Sequence, residues 1–175
     1  MAVALPPGID LDRHLHLDDR RWSLALRRAV LGLLALFVAA ALLNGSGQRP
    51  ATRRAGGASG ALTVVSPARA RSGLMFTTRF TIAARRQIAH PRLVLDPGWF
   101  DGMQVNSIVP QPANETSVGG RAVFTFAALP AGGRQDYFVG FQVDPTTVGR
   151  QRQTARLFDG SALLATVRGS LTVLP

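Results

Sequence analysis

Leu74-Met-Phe-Thr-Thr-Arg-Phe-Thr-Ile-Ala-Ala84 is the stretch that decides the fold. Phe76, Thr78, Phe80 and Ile82 recur at period two on one face, and Thr77, Arg79 and Thr81 occupy the other. Strand side chains alternate between faces, so this spacing predicts a half-buried antiparallel strand. The same pattern repeats on both sides of it. Leu62-Thr-Val-Val65 precedes it and ends at Ser66-Pro67. Arg92-Leu-Val-Leu95 follows and stops at Asp96-Pro97-Gly98. Met103–Ile108, Ala122–Phe126 and Tyr137–Val143 come next, separated by Pro110, Pro112 and Leu129-Pro-Ala-Gly-Gly133. Gln153–Phe158 and Ala162–Val167 flank Asp159-Gly160. Such a pair permits the positive φ angles of a tight hairpin. Leu171-Thr-Val-Leu174 is the last short strand.

This makes seven to nine strands over residues 62–175, with turn residues roughly every 10 positions. A stretch of that length can bury a core without metal or disulfide. The expected core is Phe76, Phe80, Ile82, Leu93, Leu95, Phe124, Phe126, Val139, Phe141, Leu157 and Val173. The fold expected is mainly β: a single N-terminal transmembrane α-helix followed by an immunoglobulin-like antiparallel β-sandwich. A jelly roll or a small barrel is the alternative. With no cysteine in the chain, the inter-sheet disulfide of antibody-type domains cannot form.

The helix is read from Ala29-Val-Leu-Gly-Leu-Leu-Ala-Leu-Phe-Val-Ala-Ala-Ala-Leu-Leu43, which carries no charge. Spanning a bilayer core of ~30 Å takes about 20 residues at ~1.5 Å each. Asn44–Gln48 extends the uncharged window before Arg49. On the near side, Arg27 and Arg28 can snorkel to headgroups and Trp22 suits the interfacial belt. In lipid a helix satisfies its own amides, so the helix is expected from about Asp19 to Leu43. A secretory signal is the main competitor, but its basic segment would be unusually long and contain four Asp. Arg13, Arg20, Arg21, Arg27 and Arg28 precede the span, against Arg49, Arg53 and Arg54 after it. This bias places the N-terminus in the cytoplasm. The expected partition is a cytoplasmic tail over 1–18, a transmembrane helix over 19–44, a flexible Gly/Ala/Arg linker over 45–61 and an extracytoplasmic sandwich over 62–175.

Composition narrows the function. All twenty basic residues are Arg, and the net charge is +10. Such a charge suits anionic lipid or nucleic acid. The aromatics are not interleaved with Arg as base stacking needs, so nucleic acid is not expected as a partner. Absence of cysteine removes thiolate metal sites, cysteine nucleophiles and lipoprotein acylation. His14 and His16 are two apart and point to different sides of a helix. There is no Gly-x-Ser-x-Gly elbow, phosphate-cradling Gly loop or His-Glu-x-x-His pair. His90, the one histidine of the β region, has no evident catalytic partner. No enzyme activity, cofactor or metal is expected.

Leu129-Pro-Ala-Gly132, Phe141-Gln-Val-Asp-Pro145, Gly149, the Asp159-Gly160 hairpin and Leu171-Thr-Val-Leu-Pro175 resemble bacterial surface immunoglobulin-like domains. Together with Pro97-Gly-Trp-Phe-Asp-Gly-Met103 and the preceding anchor, the chain resembles a group of small single-pass actinobacterial membrane proteins. The resemblance covers residues 62–175 and implies no catalytic residues.

The candidate contact site is Asp96-Pro-Gly-Trp-Phe-Asp-Gly102, with Trp99, Phe100 and Asp101 as partner-binding residues. Tryptophan is enriched at binding hot spots, and loops on rigid sandwiches carry recognition. The competing reading is that an aromatic folds back to cap the core. Asn114-Glu-Thr116 matches a glycosylation acceptor but reads better as a polar loop. Arg85, Arg86, Arg150 and Arg152 are candidates for a basic patch toward anionic wall polymer or lipid. The function expected is a membrane-anchored extracytoplasmic binding or assembly module, with the lipid bilayer and another membrane or envelope protein as partners. The alternative is a structural envelope-maintenance protein without a dedicated ligand.

Overall fold

The computed structural model describes residues 21–42 and 48–175. The tail expected over 1–18, with His14 and His16, lies outside the described residues. The chain forms two separate compact units, described one at a time.

The first contains helix α1, Arg21–Leu42, of 22 residues. At ~1.5 Å per residue it is ~33 Å long, enough for a bilayer core. Leu24–Leu42 is apolar and long enough to cross a membrane by length and composition. From Leu24 to Leu42 its side chains are exposed all round: Leu33, Leu36 and Phe37 are each more than 70% accessible. Beyond Arg27 and Arg28, from Ala29 to Leu42, the helix is apolar on every side and has no polar face to turn to water.

The second unit is an immunoglobulin-like β-sandwich. In chain order its strands are β1 (Pro50–Gly56), β2 (Gly60–Pro67), β3 (Arg69–Arg71), β4 (Met75–Ala84), β5 (Pro91–Leu95), β6 (Met103–Val109), β7 (Asn114–Val118), β8 (Arg121–Thr125), β9 (Arg134–Val143), β10 (Gly149–Asp159) and β11 (Ala162–Leu174). One sheet runs β1-β2-β4-β9-β6, the other β3-β11-β10-β5-β8-β7. Pairing is antiparallel throughout except between β3 and β11. β4, read from its alternation, is the middle strand of its sheet, with Phe80 opposite Val64 on one side and Tyr137 on the other.

Every expected core residue is buried, and Leu62, Val64, Ile88, Trp99, Met103, Tyr137 and Leu171 join them. Fully burying an aromatic or large aliphatic side chain contributes ~1.5–3 kcal/mol, so the fully buried Phe80, Phe124 and Phe141 are among the largest contributors to stability. Thr78 on the inner face is satisfied by donating its hydroxyl to Ser66 Oγ at 3.1 Å.

The eleven strands exceed the seven to nine read from sequence. The linker expected over 45–61 contains β1, whose seven residues pair in register with β2, from Pro50↔Pro67 to Gly56↔Ala61. Its inward positions are Ala51, Arg53 and Ala55, small or charged, so no apolar alternation announces it. Arg53 reaches across to the other sheet and donates to the Ser170 carbonyl at 3.2 Å. The polar loop expected at Asn114–Thr116 is instead part of edge strand β7, exposed along its whole length and paired with β8. The last two expected strands are one, β11, unbroken through Arg168-Gly169-Ser170. The β10–β11 hairpin forms at the expected place. Asp159 pairs with Ala162, and Gly160 takes the positive φ of 55° that the tight turn needs.

Two buried polar groups give testable consequences. Tyr137 stacks on Phe126 with ring centroids 3.6 Å apart, and burial pushes its phenol up to about 12. The unfolded chain ionises first, near 10, so this contribution to stability is present below pH 10 and is lost as pH rises towards 12. Tyr137 is the one tyrosine of the chain, so its ultraviolet titration is unambiguous. The native midpoint should lie near 12 and fall to the ordinary value in denaturant. Equal midpoints would contradict the burial.

Gln153 on the inner face of β10 is 2% exposed, and neither its amide oxygen nor its nitrogen has a partner. An orphaned buried polar group costs ~1–3 kcal/mol. Gln153→Leu should therefore stabilise by ~1–2 kcal/mol, raising Tm by ~3–6 °C. A lower Tm would show that the amide is satisfied.

Candidate binding surfaces

The segment Asp96–Gly102 leaves β5 and crosses onto β10. Asp96 sets its direction: its N–H donates to the Thr154 carbonyl at 3.1 Å. Pro97 opens a single 3-10 turn, Pro97–Trp99, in which the Trp99 N–H donates to the Asp96 carbonyl at 3.0 Å. Gly98 lies flat on β10. A Cβ there would sit 1.8 Å from the Arg152 carbonyl oxygen. This seating turns the next side chain inward.

Trp99 is 2% exposed, which corrects its assignment as a partner contact. Its indole N–H donates to the same Thr154 carbonyl at 3.0 Å. Its ring packs 5.3 Å from Phe80 and 5.5 Å from Phe141, which in turn stacks on Phe76 at 5.4 Å. Phe100 is half-buried and packs against the same core. Asp101 is exposed. The three expected contact residues therefore do not present one surface. Two serve the core and one faces solvent. The missed signal was the dipeptide before Trp99: proline starts a helical turn and glycine lets it touch the neighbouring strand.

Outside the sandwich the same segment carries an ion cluster. The Asp96 carboxylate accepts from Arg156 Nη1 at 2.6 Å and Arg121 Nε at 3.2 Å. Beside it lies a shallow groove of about 320 Å³ on the outer face of the six-stranded sheet, floored by Val94 and Val123 and flanked by Arg92, Arg121, Arg156 and Phe158. Arg92 donates to the Gly160 carbonyl at 3.0 Å. One carboxylate set against three guanidiniums leaves the groove positive. It suits an anionic group on an apolar body.

A second groove, about 560 Å³ and mostly polar, runs between β6 and β7. These are the outermost strands of the two sheets on that side, and each pairs with one neighbour. Their free edges offer backbone N–H and C=O groups to an added strand.

The expected grouping of Arg85 and Arg86 with Arg150 and Arg152 is not formed. The first two follow the end of β4, where both N–H groups donate to the Ser59 carbonyl. Arg150 and Arg152 lie near the start of β10, at the other end of the sandwich. There they are joined across β11 by Arg69, since Arg150 pairs with Thr172 and Thr172 with Arg69. Arg71 is two residues further out, opposite Leu174.

This is also the end at which the chain enters the sandwich. Gln48 Nε2 donates to the Met75 carbonyl at 3.4 Å, and the Ala68 N–H to the Arg49 carbonyl at 3.1 Å. Leu74 and Val148 stand out from its loops and Met75 from the first position of β4, 48%, 58% and 64% exposed.

No family model matches the chain, and no curated protein matches it. Solved structures share its architecture. The chain is similar to a non-cellulosomal cohesin from the hyperthermophilic archaeon Archaeoglobus fulgidus, at 16% identity over 61% of this chain and 86% of that one, with a TM-score of 0.40. It is also similar to CaCohA2 from Clostridium acetobutylicum, at 14% identity over 60% of this chain and 84% of that one, with a TM-score of 0.43. The likeness is one of fold alone.

Proposed function

We propose that the chain is a single-pass membrane protein whose β-sandwich works outside the cytoplasm as a binding or assembly module for another membrane or envelope component. The observation that carries this reading is α1. Its 19-residue segment Leu24–Leu42, which exposes Leu, Val and Phe on every side past Arg27 and Arg28, is suited to lipid and unsuited to water. The arginine excess before the helix favours a cytoplasmic N-terminus. The sandwich supports the binding half of the reading with a positive groove and two open strand edges. The reading is of a binder and not of an enzyme.

Alkaline carbonate extraction and protease treatment of intact cells test it. The chain should stay with the membrane pellet, and added protease should remove a tag placed after Pro175 while sparing one placed before Met1. Extraction into the soluble fraction, or protection of the C-terminal tag, would reject the reading.

A further inference from the structure

We infer that the end of the sandwich where the chain enters is a docking surface for the anionic headgroups of the bilayer that holds α1. The inference deepens the membrane reading above and rests on it. Two independent features meet at this end. One is apolar: Leu74 and Val148 are large, exposed and carried on loops, and the exposed Met75 beside Leu74 opens β4, a placement suited to side chains that dip into a headgroup layer. The other is cationic: Arg71 and Arg150 flank those loops, with Arg69 and Arg152 a step behind. The outward positions between them on β11 are Ser170, Thr172 and Leu174, none of them acidic. The acidic residues of the same end are Asp96, whose carboxylate is held by Arg121 and Arg156, and Asp101 and Asp144 toward β6, where Asp144 accepts from Gln104 Nε2 at 3.2 Å.

Chain length supplies the occupant. Residues 43–47 alone separate the end of α1 from Gln48, which is bonded to Met75 beside the apolar tip. Six peptide steps reach at most ~20 Å. A bilayer crossed by α1 is therefore always within reach of this end, at a high effective concentration. A basic side chain near an anionic surface contributes attraction comparable to several-fold in occupancy. A single free phosphate could not engage arginines spread over several strand positions at ~3.4 Å each, whereas a headgroup layer can.

The absence of cysteine makes a clean test, because one introduced thiol is the only one to label. Full-length Val148→Cys, bearing an environment-sensitive fluorophore, is placed in nanodiscs of phosphatidylcholine with or without phosphatidylglycerol. Leu163→Cys, at the β10–β11 hairpin on the opposite end, is the control. The Val148 label should shift to the blue and be quenched by lipid-borne quenchers when phosphatidylglycerol is present, and the Leu163 label should stay aqueous. Adding Arg71→Gln and Arg150→Gln should lower the docked-to-undocked ratio roughly 30-fold, and ~0.5 M salt should act in the same direction. Identical behaviour of the two labels, or indifference to phosphatidylglycerol, overturns the inference. So does an equal Val148 response to soluble inorganic polyphosphate without phosphatidylglycerol, which would reassign the surface to phosphate polymers. Failure of the chain to enter nanodiscs at all would instead sink the membrane reading, and docking with it.

Discussion

Trp99→Ala should lower the melting temperature of the sandwich by ~10–20 °C. Truncating a fully buried large aromatic costs ~3–5 kcal/mol through lost transfer energy and the cavity left behind. The loss should fall toward the upper end of that range. The indole stacks on Phe141 and packs tilted against Phe80, and such pairs add ~0.5–1.5 kcal/mol beyond area. Its N–H also ties the turn to Thr154 of β10. Trp99→Phe should recover much of the packing but leave the Thr154 carbonyl with the Asp96 N–H alone. It should therefore melt between the wild type and the alanine variant. A thermal melt of Trp99→Ala matching wild type would restore the exposed-contact reading of this loop.

Gly98→Ala should be nearly as damaging although it adds one carbon. That carbon would lie 1.8 Å from the Arg152 carbonyl oxygen, a backbone atom fixed in the β10 ladder. The strand cannot swing aside as a flexible side chain could, so the turn must lift. Lifting it withdraws Trp99 from the core. We expect ~3 kcal/mol or more of destabilisation. Gly57→Ala is the matched control: its added carbon meets nothing closer than the Leu164 carbonyl at 3.7 Å. It should change stability by less than ~0.5 kcal/mol. Because Gly98 and Trp99 act through one turn, the double variant should cost less than the two singles together. Strict additivity in urea unfolding would show that the glycine and the indole act independently.

These positions mark where sequence reading succeeds and where it fails. The central strands were legible because Phe76, Phe80 and Ile82 on β4 and Val139 and Phe141 on β9 carry large apolar groups at period two, and burial of one face demands that pattern. The Asp159-Gly160 hairpin was legible because turn chemistry is local. β1 and β7 were not. Pro50–Gly56 and Asn114–Val118 contribute almost nothing to the core, and their strand state comes from ladders supplied by β2 and β8. No window of their own sequence contains that information. Trp99 failed for a different reason. An aromatic between Pro-Gly and Asp-Gly looks like an exposed loop tip until Gly98 is seen to rest against Arg152, a residue 54 positions away in the chain. The arginine grouping failed in the same way. Arg85 and Arg86 were grouped with Arg150 and Arg152 by charge alone, while strand direction sends the pairs to opposite ends.

Inclusion of Pro50–Gly56 in the sheet has a mechanical consequence. Any force pulling on the chain ahead of the sandwich meets the Gln48 and Arg49 contacts and then Pro50, the first position of a seven-pair ladder. A pull along the strand axis loads those rungs together in shear, so they must rupture as a group instead of unzipping singly. Once those two contacts give way, the first strand pairing such a pull would break is the β1–β2 seam.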